Sequence, residues 1–199
     1  MFSYALTFIF GIASSIAAAL LLAIIANKRA VRFSFRRVMR DILKLSMLLK
    51  TDDYEPDLLV GIDRNGSIIA SILAGHLGLR SILSADTHTT RTVDGSRYVV
   101  LSDVHKPPEG TLTGKTILLV ACFVDTGKTA DAVYQYYRSR SDAPNDVRLA
   151  ALYVTPAPIL KPRYHVKMVG KDINAPISRV MHKMPWMTKE WRYSFPGER

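Results

Sequence analysis

From residue 2 to residue 26 the chain carries no charged side chain. A helix rising about 1.5 Å per residue over that length crosses the ~30 Å hydrocarbon layer of a bilayer. The pattern then changes. Over residues 36–49, Val38, Met39, Ile42, Leu43, Leu45, Met47 and Leu48 mix with Arg37, Arg40 and Lys44. That spacing predicts a basic amphipathic helix, one face for a domain and the other for a membrane surface. Residues 51–56 form a break, and beyond it the apolar runs become short. Residues 57–62, 81–84, 116–120 and 148–154 read as strands, with a further hairpin strand at 97–101 inside the polar stretch 86–110. Residues 67–77, ended by Gly78, and 128–138 read as helices, and Asn65-Gly66 reads as a turn. Strands alternating with helices predict an α/β fold with a parallel sheet. The chain divides into a transmembrane helix (1–27), a basic amphipathic juxtamembrane helix (28–50) and an α/β domain (51–199).

Charge sharpens the first two assignments. The formal net charge is +10, and much of the excess is local. Lys28, Arg29, Arg32, Arg36, Arg37, Arg40, Lys44 and Lys50 face only Asp41. Cations directly after an apolar span suit anionic lipid headgroups, and they place the following domain in the cytoplasm. A cleaved signal peptide wants positive charge before its apolar run, where only the terminal amine stands, although Ala17-Ala18-Ala19 imitates a cleavage site. Gly11, Ala13, Ser14, Ser15 and Ala17–Ala19 would let such helices pack closely in a homo-oligomer. No aromatic interleaving accompanies the basic stretch, so nucleic acid is not the expected partner. The lone Cys122 excludes an intrachain disulfide and agrees with a reducing compartment.

Candidate chemistry concentrates after the 116–120 strand. Asp125-Thr126-Gly127-Lys128-Thr129 stands between that strand and a helix start. Free backbone N–H groups, a helix dipole and two hydroxyls converge on one spot there, which suits phosphate. The common loop G-x-x-x-x-G-K-[ST] does not fit, because Cys122 occupies the place of its first Gly. A second loop, Asp63-Arg64-Asn65-Gly66, follows the 57–62 strand. Parallel α/β sheets bind ligands at such carboxyl ends.

Residues 117–129 resemble the sugar-phosphate loop of type I phosphoribosyltransferases, most closely those for 6-oxopurines (hypoxanthine, guanine, xanthine). In that family two acidic residues precede the Asp-Thr-Gly-Lys-Thr run; here those positions hold Ala121 and Cys122. The loop at 63–66 is similar to the family's diphosphate loop, where Arg-Gly-Gly is commoner than Arg-Asn-Gly. The end of the chain, with Trp191, Phe195, Pro196 and Glu198, looks like the hood that covers the base.

The resemblance covers about residues 54–199 and implies specific roles. Arg64, Asn65 and Gly66 would hold diphosphate. Thr126, Gly127, Lys128 and Thr129 would hold the ribose 5-phosphate. Asp125 would manage a proton on the base, Thr155 would stand where the family places a base-binding lysine, and Trp191 or Trp186 would stack on the base. Arg91, Arg97, His88, His105 and Lys106 lie in the stretch matching the family's closing loop. Mg²⁺ would enter only with 5-phosphoribosyl diphosphate, and no protein metal site is expected. Two functions follow: a membrane-anchored transferase for a purine-like base, or a nucleotide sensor that has lost catalysis and acts at the membrane, as in a bacterial anti-phage or stress response. Ala121 and Cys122 favour the second, since neither replaces a carboxylate's hydrogen bonds to the ribose hydroxyls.

Overall fold

The computed structural model describes residues 33–91, 97–104, 107–108, 110–169 and 184–186. Residues 36–177 form one compact unit. Its elements are α1 (Phe35–Thr51), β1 (Leu58–Ile62), α2 (Asp63–Leu77), β2 (Ile82–Arg91), β3 (Arg97–Val104), β4 (Thr116–Val124), α3 (Lys128–Arg138), β5 (Asp146–Val154) and β6 (Tyr164–Met168). Among the described residues the strands make one six-stranded sheet, ordered β3-β2-β1-β4-β5-β6. All neighbours pair in parallel except β2 and β3, which form an antiparallel hairpin.

Every residue of β1 is buried, as a strand covered on both faces requires. From β1 the chain crosses outward to β2, and from β4 it crosses the opposite way to β5. Right-handed crossovers in opposite directions put α2 and α3 on opposite faces. On the α3 side, Val60, Ile62, Ile117, Leu119, Leu149 and Ala151 pack with Ala130, Val133 and Tyr137 of the helix. The buried positions of α2 (Gly66, Ile69, Ala70, Leu73, Ala74) fall three or four apart and so share one stripe.

Helix α1, from Arg36 on, belongs to this compact unit. Val38, Ile42, Leu45 and Leu49 are fully buried, one stripe at helical spacing. Its polar contacts fix its direction. Asp41 accepts a 2.8 Å hydrogen bond from Tyr153 Oη and lies 3.7 Å from Lys167 Nζ, both on the later halves of β5 and β6. Asp52 accepts from Arg148 Nη1 at 3.0 Å and from Tyr164 Oη at 2.5 Å, both at the strands' beginnings. Helix α1 therefore runs antiparallel to β5 and β6, its N-terminal half towards their carboxyl ends.

Three expectations change. Asn65-Gly66 is not a turn: α2 begins at Asp63, directly after β1, and Gly66 lies in its first turns. A Cβ on Gly66 would stand 2.4 Å from the carbonyl oxygen of Val120, so this glycine serves close packing of α2 on β4. The 86–110 stretch is mostly strand, because β2 extends to Arg91 and pairs with β3. Strand β6 was not read from the sequence: Pro162 and a short half-polar run hide a strand that tertiary pairing with β5 creates. Among the described residues no helix is long and apolar enough to cross a membrane; the 2–26 span lies outside them.

Gly66→Ala is expected to destabilise the fold by about 3 kcal/mol, the upper range for overpacking, because the obstructing atom is backbone and cannot move alone. Urea unfolding against Gly75→Ala, where a Cβ meets nothing within 4 Å, measures it. Equal midpoints for the two would contradict the close packing.

Candidate phosphate-binding site

The sheet diverges between β1 and β4, and their carboxyl ends flank the crevice that such a switch point leaves. A cleft of about 230 Å³ opens there. Ile62, Asp63 and Asn65 line it from the β1 side, and residues 121–130 line it from the end of β4 through the start of α3.

The β4 loop is shaped from behind by residues 155–160. Thr155 N–H donates to Val124 O at 3.0 Å, and its hydroxyl donates to Asp125 O at 2.7 Å. Ile159 N–H donates to Thr126 O at 2.8 Å. In a planar trans peptide the N–H points opposite to the C=O. With the carbonyls of Asp125 and Thr126 held by the 155–160 segment, the N–H groups of Thr126 and Gly127 turn the other way, towards the cleft that both residues line. Gly127 makes the turn possible. Its φ is +80°, and a Cβ there would meet Leu160 N at 2.9 Å.

Helix α3 starts at Lys128 without a side-chain cap. Asp131 N–H bonds Gly127 O at 2.8 Å and closes the first turn. The amides of Lys128, Thr129 and Ala130 have no carbonyl one turn earlier within the helix. Lys128 N reaches Thr126 Oγ1 at only 3.5 Å. Uncapped amides, the positive helix end and the Thr126 and Thr129 side chains surround one anion-sized space.

The β1 side is held by strain. Asp63 has φ +55°, uncommon outside glycine, though aspartate tolerates it better than most residues. Its Oδ1 accepts from Thr87 N at 3.0 Å and Thr87 Oγ1 at 2.6 Å, tying the turn to β2. Burial pushes the Asp63 carboxyl above the usual carboxylate range, against the lowering pull of the Thr87 bonds, and neighbouring Asp86 adds to the rise. Sequence reading named Asp63 only as a loop member; its bond to Thr87, 24 residues away, had no sequence signal.

The expected site residues are thus gathered in part. Asn65, Asp125, Thr126, Gly127, Lys128 and Thr129 line one cleft. Arg64 lies between two lining residues in sequence; its side chain is exposed and is not part of the cleft lining. Gly66 lies beneath, against β4. Thr155 braces the loop, its hydroxyl donating to Asp125 O. Trp191, together with His105 and Lys106, lies outside the described residues. His88 is exposed on β2.

The cleft is apolar at residues 121 and 122. Ala121 and Cys122 line the cleft and are nearly buried. Burial raises the Cys122 thiol far above its ordinary range, so it is a neutral SH at physiological pH and no nucleophile. Among the described residues no three His, Cys, Asp or Glu side chains converge to hold a metal ion. Alanine and a neutral thiol offer Mg²⁺ no hard oxygen ligand.

A strand-loop-helix turn at the switch point of a mostly parallel sheet defines an α/β domain with a candidate anion cradle. The family is then settled by comparison. The model of the phosphoribosyl transferase domain matches residues 23–183, and the chain belongs to that family. Similar solved structures include a purine phosphoribosyltransferase from Pyrococcus horikoshii Ot3, 22% identical with TM-score 0.62, covering 85% of this chain and 97% of that one. A hypothetical protein from Neisseria gonorrhoeae with bound ppGpp is 18% identical with TM-score 0.67, covering 79% and 89%. The Helicobacter pylori xanthine-guanine-hypoxanthine phosphoribosyltransferase is 18% identical with TM-score 0.56, covering 70% and 87%. At these identities the likeness concerns the fold. No curated protein sequence matches the chain.

Replacing Thr155 by Val removes one hydroxyl donor and leaves Asp125 O without it. Inorganic phosphate or a nucleoside monophosphate should then bind roughly tenfold more weakly by calorimetry, with the thermal midpoint lowered by only a few degrees. Unchanged affinity would show that the brace does not shape the cradle.

Proposed function

We propose that this cleft binds 5-phosphoribosyl diphosphate or a nucleotide, and that the protein transfers phosphoribosyl to a purine-like base. The observation that carries the reading is the convergence of Asn65 and residues 125–129 on one cleft at the β1/β4 switch point. The amides of Thr126, Gly127 and the first turn of α3 hold the 5-phosphate, with the Thr126 and Thr129 hydroxyls as further donors. The exposed Arg64, next in sequence to two lining residues, would neutralise the leaving diphosphate. A ring nitrogen of the base attacks the anomeric carbon, the carbon–oxygen bond to diphosphate breaks, and the Asp125 carboxylate takes the proton from the base. Any Mg²⁺ would come with the diphosphate, as its counterion.

A second reading is favoured by Ala121 and Cys122, the apolar floor. Without carboxylates there, the ribose hydroxyls lose charge-assisted contacts worth about 1.5–3 kcal/mol each. The domain then acts as a nucleotide-binding module without transfer chemistry. In both readings residues 2–26 anchor the chain in a membrane, with the domain on the cytoplasmic side.

Calorimetric titration of the detergent-solubilised full chain with 5-phosphoribosyl diphosphate and with purine nucleoside monophosphates, followed by turnover of radiolabelled base, tests both. Transfer predicts labelled nucleotide, lost on Asp125→Asn by about 10²-fold or more with affinity for the nucleotide within about threefold. Binding without labelled product leaves the module reading alone. No binding of either ligand overturns both.

A further inference from the structure

We infer that the outward face of α1 is a lipid-docking surface that seats the domain on an anionic bilayer. The inference rests on the proposed membrane anchoring and adds the face, the lipid class and the orientation. Its basis is how α1 divides its residues between domain and solvent. The stripe Val38, Ile42, Leu45 and Leu49 is spent on the core. On the other side Leu43, Met47 and Leu48 remain 46%, 59% and 42% exposed. Single exposed apolar residues are ordinary, but three within one and a half turns of a helix make a patch. Positions 36, 40, 43, 44, 47 and 50 fall within one half of a helical wheel at 100° per residue. Arg36, Arg40, Lys44 and Lys50, all exposed, therefore surround Leu43 and Met47.

The charge balance of this face is decided by the fold. The one acidic residue within residues 28–50 is Asp41. It is fully buried, turned inward to Tyr153 Oη and Lys167 Nζ. No carboxylate of α1 itself is left to offset the four outward cations. Apolar tips ringed by cations on long apolar stems match an anionic lipid surface: Leu and Met enter the headgroup–acyl boundary while Arg and Lys reach phosphates. The uncharged 2–26 run and Lys28, Arg29 and Arg32 lie directly before this helix in the chain, which supplies the same partner.

The orientation follows from the direction of α1. It lies along β5 and β6 with its N-terminal half towards their carboxyl ends, the end of the sheet at which the cleft opens. With α1 flat on the bilayer, the domain lies on its side. The cleft then opens near the headgroups and not at the pole farthest from the membrane.

The test uses the full chain reconstituted in vesicles, with an environment-sensitive fluorophore on Met47→Cys. Cys122 is buried and its thiol is neutral, so the label is selective for the introduced thiol. In vesicles of 7:3 phosphatidylcholine:phosphatidylglycerol, lipid-borne nitroxides should quench this label several-fold more than in phosphatidylcholine alone. Each cation near an anionic surface contributes about fivefold in affinity, so Arg40→Gln with Lys44→Gln should weaken docking about 25-fold and lower quenching towards the neutral-vesicle value. A label on Gln135→Cys, on the exposed side of α3, should not respond. Equal quenching at position 47 in both vesicle types overturns the inference, as does insensitivity to the double substitution. Protection of the label in detergent without lipid, rising with protein concentration, overturns it in favour of a second copy of the chain. Protection by RNA alone overturns it in favour of a nucleic acid. The anchor reading fails separately, if the unsubstituted chain does not float with neutral vesicles.

Discussion

Two adjacent strands that send their crossovers in opposite directions govern this molecule. The segments that follow β1 and β4 leave the sheet at its carboxyl ends and line one shared cleft. The contact that keeps this space narrow is backbone against backbone. Gly66 lets α2 approach Val120 O, and Gly61 lets the chain return over Ser67, where a Cβ would stand 2.3 Å from Ser67 Cα. A larger residue at either position would force the helix and the strands it packs against apart.

Within that space the chain builds its anion cradle chiefly from main chain. Thr155 and Ile159 hold two carbonyls on one side of the 125–127 turn, which turns the paired N–H groups to the other side. Gly127 permits the left-handed turn, and the uncapped start of α3 adds the helix dipole. Amides placed in this way need no reorganisation when an anion arrives. Side chains tune the site: Asp63 is locked to Thr87, while Ala121 and Cys122 leave the floor without charge.

The far edge of the sheet shows a comparable economy. Asp41 and Asp52 sit three turns apart on and just beyond α1, and each is met by a tyrosine and a cation from β5 and β6. The pairs fix the helix lengthwise on the sheet. They also consume the acidic side of α1 and leave its outward face cationic. Packing and surface charge are thus set by the same residues.

Much of this was legible in the chain itself. The 116–120 run, the Asp125–Thr129 loop and the 128–138 helix announced their elements because apolar runs, a strand-to-helix turn and helix periodicity are local properties. The α/β class and the family resemblance rested on those same stretches. Other features depended on partners distant in sequence. Strand β6 exists because β5 offers it a hydrogen-bonding edge, and β2 runs on to Arg91 because β3 returns beside it. Gly66 read as a turn residue, since only the position of Val120 O reveals that it is a packing residue. Thr155 read as a base contact, since only the folded 155–160 segment shows which carbonyl its hydroxyl meets. The chain by itself determined the local elements and the chemistry of the phosphate loop, because both follow from neighbours within a few residues. The tertiary structure decided which face of each element points inward and which hydrogen bonds are already engaged, because those depend on atoms that only folding brings together.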